Sequence, residues 1–167
     1  MANETVQAVK VEAKLTFYVT GADGAQLVKE HTYSHTFTDG TGTDQAGAVW
    51  NDDARSLAAT TETLDLDGLV DFQGATMTDN NAVKVMWIEN TSTTTGYKLT
   101  LGGGDWAGAT RFLTDATDKC NVGPSGLLLA ISPVDGYAIT ASTGDGLLED
   151  AGANTVTSKQ VFVFDNA

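Results

Sequence analysis

The chain lacks most of the features by which enzymes, secreted domains and membrane proteins are recognised. It holds one cysteine, Cys120, in 167 residues, so neither an intrachain disulfide nor a cysteine-based zinc site is open to it, and a small buried apolar role is expected for that residue. Long apolar runs are missing too: the longest, Leu127 to Ile131, falls far short of the roughly 20 residues that span a bilayer as a helix, so no membrane partner is expected. Basic residues are scarce. Nine Lys and Arg against 22 Asp and Glu give a formal charge of -13, with no basic patch to hold phosphates, which argues against nucleic acid as a partner. Spread along the chain, the charge reads as solubility. The opening MANETVQAVKVEAK is polar and alternating rather than basic then apolar, so no signal peptide is expected, and synthesis is expected in the cytoplasm.

What is present is an ordinary globular composition, 41% hydrophobic and 19% charged, unlike a disordered acidic tail. A chain of this length buries roughly 70% of its unfolded surface in one core, so residues 1–167 are expected to form a single domain. Its organising stretch is Ala82 to Leu101, AVKVMWIENTSTTTGYKLTL. Val83, Val85 and Trp87 fall on one face of an extended segment, Ala82, Met86 and Ile88 on the other, and apolar groups on both faces mark the centre of a sheet. The polar run Thr91 to Gly96 then predicts a hairpin returning through Tyr97, Leu99 and Leu101.

Further strands follow from the same period. Val11, Ala13, Leu15, Phe17 and Val19 alternate with Lys10, Glu12, Lys14 and Thr16, the pattern of a half-exposed strand. Asp23-Gly24 supplies the reversal, and Val28 to Thr38 returns. Residues 1–40 therefore read as an edge hairpin or an interaction arm; the strand from Val6 to Thr20 has the length to pair with another subunit's sheet. Between Asp39 and Thr60 the pattern loosens, with a helical turn expected near Gln45 to Trp50 and Trp50 anchoring the loop. Short strands are expected over Leu57 to Leu66, Gly126 to Ile131, Tyr137 to Ala141 and Val161 to Phe164. Eight or nine strands, two prolines and eighteen glycines predict an all-β fold, an antiparallel β-sandwich of jelly-roll type with long polar loops.

Six stretches carry residues of the types that do chemistry. His31 and His35 share a strand face about 13 Å apart at strand rise, too far for one metal ion. Asp39, Asp44, Asp52 and Asp53 are of the type that gathers calcium, and Asp65, Asp67 and Gly68 resemble half a calcium loop, but neither set has the spacing of one. Gly40-Thr41-Gly42 lacks the third glycine of a dinucleotide fingerprint. Gly102 to Gly104 precede no lysine, which excludes a phosphate-binding loop. Around Ser125, Gly123-Pro124-Ser125-Gly126-Leu127 lacks the last glycine of a nucleophile elbow. No enzyme, cofactor or metal is expected. Trp50, Tyr97 and Trp106 are the candidate interface or glycan-stacking residues, with core packing the competing role for large aromatics.

Two stretches carry a resemblance: FTDGTGTDQAGAVWNDDARSLAATTETLDL from Phe37, and KVMWIENTSTTTGYKLTLGGG with VGPSGLLLAISPVDGYAITASTGDGLL. Together they resemble small structural proteins of tailed bacteriophages, in which a polar GTG-x-x-Q-A-x-x-VW segment precedes a leucine-rich strand. The later half is similar in its Asn-x-Ser/Thr strand end, glycine-rich step and Gly-Tyr strand; here Pro124-Ser125-Gly126 stands where that family has a Pro-Gly-like turn. The resemblance covers roughly Phe37 to Leu148. It implies a non-enzymatic virion component, a capsid decoration (cement) protein or a fibre-like projection, oligomeric with a trimer favoured, whose partner is the major capsid protein or another virion protein. The alternative reading is a carbohydrate-binding, host-recognition module of a virion appendage, and a weaker one a hydrolytic tail enzyme.

Overall fold

The computed structural model describes residues 7–22, 24–58, 61–66, 68–70, 74, 76–77, 80–102, 112–113, 117–139, 146–150 and 152–166. Among these the chain is all-β, 67% strand with no helix. Twelve strands run β1 (Ala8–Thr20), β2 (Gln26–Asp39), β3 (Gln45–Ala46), β4 (Ala48–Ala58), β5 (Thr61–Asp65), β6 (Asn80–Asn90), β7 (Leu99–Gly102), β8 (Lys119–Val122), β9 (Leu127–Ile131), β10 (Tyr137–Ala138), β11 (Gly146–Asp150) and β12 (Thr155–Asn166). They form three sheets. The first has the order β1-β2-β3, the second β10-β6-β12-β4 with β9 also on β6, the third β5-β11-β7-β8. Every pairing is antiparallel except the two-residue β2–β3 contact. The helical turn expected at Gln45 to Trp50 is instead β3 and the start of β4.

β6 is an interior strand, as its two apolar faces require: β12 lies along one edge, and β9 and β10 share the other. The expected faces need one correction. Val85 pairs with Val163 and Val83 with Phe164, so Lys84 is an extra residue in β6, a β-bulge that shifts the side-chain phase. Val83 therefore joins Met86 and Ile88 in the larger core cluster, while Val85 goes to the other face.

The larger cluster draws on the second sheet through Trp50, Leu57, Met86, Ile88, Phe162 and Phe164, and on the third through Leu64, Leu99, Leu101 and Val122. On the opposite face of the second sheet, Val85 and Val163 meet Val11, Phe37 and Ala46 of the first sheet in a smaller cluster. β12 has apolar groups on both faces for this reason: Phe162 and Phe164 enter one cluster and Val163 the other.

A hairpin from β6 to β7 is not formed. The strands lie in different sheets, and residues 91–98 carry the chain across. Asn90, fully buried, holds this crossing. Its Nδ2 donates to Tyr97 O at 2.9 Å and Val122 O at 3.0 Å, and its Oδ1 accepts from the Ser92 amide at 3.1 Å. A polar side chain that satisfies three backbone groups in the interior fixes where the strand must stop.

Candidate interaction surface

β1 and β2 form the expected hairpin, thirteen residue pairs from Ala8↔Thr38 to Thr20↔Gln26. At about 3.3 Å per residue it is about 40 Å long. Its reversal is closed by the Gly24 amide on Gly21 O at 3.0 Å and the Gly21 amide on Ala25 O at 2.7 Å, with Gly24 at φ +80, a conformation that glycine adopts without cost. The base is held to the body. The Gly47 amide donates to Phe164 O at 3.0 Å and the Asp44 amide to Pro133 O at 3.1 Å, while Phe37 is fully buried, worth about 2–3 kcal/mol for such a side chain.

The arm is amphipathic. Its body-facing side carries Val9, Val11, Ala13, Leu15, Phe17 and Val19, opposite Phe37, His35, Tyr33, His31, Lys29 and Leu27. The other side carries Lys10, Glu12, Lys14 and Thr16, opposite Thr36, Ser34, Thr32 and Glu30, with Tyr18 and Val28 as an apolar pair near the tip. Only the base of the apolar side is covered: Val11 is 8% exposed, whereas Leu15 is 62%, Val19 50%, Leu27 51% and Tyr33 41% exposed. Alternation alone gives one apolar face; how far the body extends beneath it decides that most of that face meets solvent. The ion pairs Lys10–Glu12 and Lys14–Glu30, each at 2.8 Å, are exposed and worth at most about 1 kcal/mol.

Two further features adjoin the arm. β1 is the edge of its sheet, so half of its backbone N–H and C=O groups point away from β2 without a ladder partner among the described residues. Beside that edge lies a groove of about 230 Å³, lined by Val9, Lys10, Val11 and Glu12 of β1 and floored by Val85, Trp87, Val161 and Val163 of the second sheet. An open strand edge beside an apolar floor is what an added strand needs: hydrogen bonds from the edge, and burial of alternate side chains on the floor.

The histidines belong to this arm. His31 stacks on Phe17 at 6.0 Å, and His35 lies between Tyr33 at 6.4 Å and Phe37 at 4.6 Å. His35 Nε2 is 3.0 Å from Asp44 Oδ1, an ion-pair distance without the alignment of a hydrogen bond. Asp52 lies 3.9 Å from Arg55, which pairs with Glu62 at 2.9 Å. Among the described residues no three His, Cys, Asp or Glu side chains gather as metal ligands do, and no helix is long and apolar enough to cross a membrane.

The three aromatic candidates are not brought to one surface. Trp50 is 9% exposed and packs on Phe162 at 5.6 Å. Tyr97, half-buried, lies against the larger core cluster, and Trp106 lies outside the described residues. The residues that sequence reading passed over are Trp87 in the groove and Lys84 at the bulge. Lys84 is 1% exposed, and its Nζ donates to Val134 O at 2.8 Å and meets Asp165 Oδ2 at 3.1 Å. A lysine inside an otherwise apolar central strand was the available signal for such a buried pair. No protein-family model, no curated protein and no solved structure matches the chain.

Proposed function

We propose that the chain is a non-enzymatic structural component of a tailed-bacteriophage virion, a capsid decoration (cement) protein or a capsid-attached projection, made in the host cytoplasm and acting through subunit contacts. One observation carries most weight: a 13-residue-pair arm whose apolar side continues beyond the body that covers its base. Such a surface gains its stability from a protein neighbour rather than from a small ligand. The finer architecture in this reading is a sandwich of jelly-roll type, with the second and third sheets as its layers and the larger cluster between them. The arm's partner is then the major capsid protein, another virion protein, or a further copy of the chain.

A glycan-binding module of a virion appendage, resting on Trp50, Tyr97 and Trp106, is the other reading. The burial of Trp50 takes its ring away from a ligand, so no observation favours it over the first. The virion reading is tested by sedimenting the purified chain with tailed-phage heads and by mass spectrometry of purified virions. Co-sedimentation at a fixed ratio to the capsid protein is expected; absence from both refutes it.

A further inference from the structure

We propose that two copies of this chain associate through the open edge of β1, antiparallel about a two-fold axis at Ala13. The inference stands on the arm and the groove beside its edge, and holds whether or not the chain is a virion component.

Sequence and register decide it. An antiparallel pair of identical strands joins residues whose numbers have a constant sum, and that sum must be even, because residues opposite each other must have the same orientation of their backbone groups. Pairing about Ala13 places Glu12 opposite Lys14 of the second copy, and Lys14 opposite its Glu12, so two opposite-charge pairs form on the polar side. Shifting the axis to Glu12 sets Glu12 against Glu12 and Lys10 against Lys14; shifting it to Lys14 sets Lys14 against Lys14. Both neighbouring registers oppose like charges. An axis at Val11 again pairs Lys10 with Glu12 but shortens the overlap from Ala8–Tyr18 to Ala8–Lys14, and an axis at Leu15 keeps an equally long overlap, Lys10–Thr20, but forms no opposite-charge pair.

The apolar side agrees with the same register. Val11 comes opposite Leu15 of the second copy, and Val9 opposite its Phe17. The exposed Leu15 is thereby set beside the groove floored by Val85, Trp87 and Val161. Because the operation is two-fold, each copy's overhanging residues reach the other copy's groove, an isologous contact. The two hairpins become one four-stranded sheet, β2-β1-β1-β2, with roughly ten added backbone hydrogen bonds.

Net charge does not oppose the contact. Between Ala8 and Thr38, Lys10, Lys14 and Lys29 balance Glu12, Asp23 and Glu30, so the whole formal charge of -13 lies elsewhere in the chain. On a strongly acidic protein a neutral arm is the place where copies approach with least repulsion. A two-fold contact builds even-numbered assemblies, in place of the trimer that the resemblance implied.

The test is native mass by light scattering behind size exclusion, on the full chain between about 1 and 100 μM. Twice the 17.4 kDa chain mass is expected. Glu12→Lys and Lys14→Glu each create like-charge pairs and are expected to weaken the dimer about tenfold or more, since two attractive pairs become repulsive at up to about 1 kcal/mol each way. An equimolar mixture of the two variants restores opposite charges and is expected to form the heterodimer. Leu15→Asp, at an exposed position, is expected to weaken the dimer with an unchanged circular dichroism spectrum. A wild-type chain that is monomeric at the highest concentration, a trimer, or a mixture no tighter than its separate variants overturns the proposal.

Discussion

Asn90→Asp is the most informative single change in the body of this protein. The substitution is nearly isosteric, so it opens no cavity, but it replaces the amide that donates to Tyr97 O and Val122 O with an oxygen that cannot. The buried Val122 carbonyl left without a donor costs about 1–3 kcal/mol and the part-buried Tyr97 carbonyl less, so together they cost about 2–4 kcal/mol. A negative charge in a fully buried position adds to this and raises the folded-state pKa of the new carboxyl above the ordinary value for aspartate. A group with a raised folded pKa has its favourable contribution below the unfolded pKa, and stability falls as pH rises through the folded one. Protonated, the new carboxyl can donate to one of the two carbonyls, so the deficit relative to wild type is expected to be smaller at about pH 4 than at pH 7. Urea unfolding followed by tryptophan fluorescence at both pH values reads this directly. A loss below about 1 kcal/mol at pH 7, or a deficit independent of pH, refutes the view that Asn90 holds the crossing between the sheets.

Three other changes probe separate links. Lys84→Met leaves the largely buried Asp165 without its cation and is expected to cost about 3–5 kcal/mol, most of it recovered in the double variant Lys84→Met/Asp165→Leu, as denaturant midpoints will show. Ser125 sits at φ 55 in the turn before β9, where a side chain is strained, so Ser125→Gly is expected to raise stability by about 1 kcal/mol, readable as a higher melting temperature; a decrease would mean the side chain contributes more than the strain costs. Burial raises the phenol of Tyr137 above its usual pKa of 10.0, so the unfolded chain ionises first and stability falls as pH rises past that value. Tyr137→Phe is expected to lessen that alkaline loss without altering the melting temperature at pH 7 by a comparable amount.

Strand period made the all-β class, the first hairpin and the two-sided burial of β6 and β12 legible, because a residue's face follows from counting by two wherever pairing is regular. The count fails at a bulge. Nothing in VKV announces that Lys84 is the extra residue, and so counting by two puts Val83 on the wrong face. The loop Thr91 to Gly96 has turn chemistry, but turn residues do not tell whether a chain returns beside the strand it left or crosses to another sheet. That was decided by Asn90, whose role requires knowledge of which carbonyls surround it. For the arm, its amphipathicity was visible in the sequence, whereas the point at which the body beneath it ends was not. Pro124-Ser125-Gly126 was legible as a turn, whereas the left-handed backbone of Ser125, which a glycine takes without strain, was not.

Hydrogen exchange of the β1 amides at low and high protein concentration tests the account most directly. Between about 1 and 100 μM, exchange of Ala8 to Tyr18 is expected to slow for the half of the amides that point away from β2, while those bonded to β2 and the amides of β6 and β12 keep their rates. Concentration-independent exchange along β1, or new protection confined to another part of the surface, would contradict the claim that this arm is where the protein meets its neighbours.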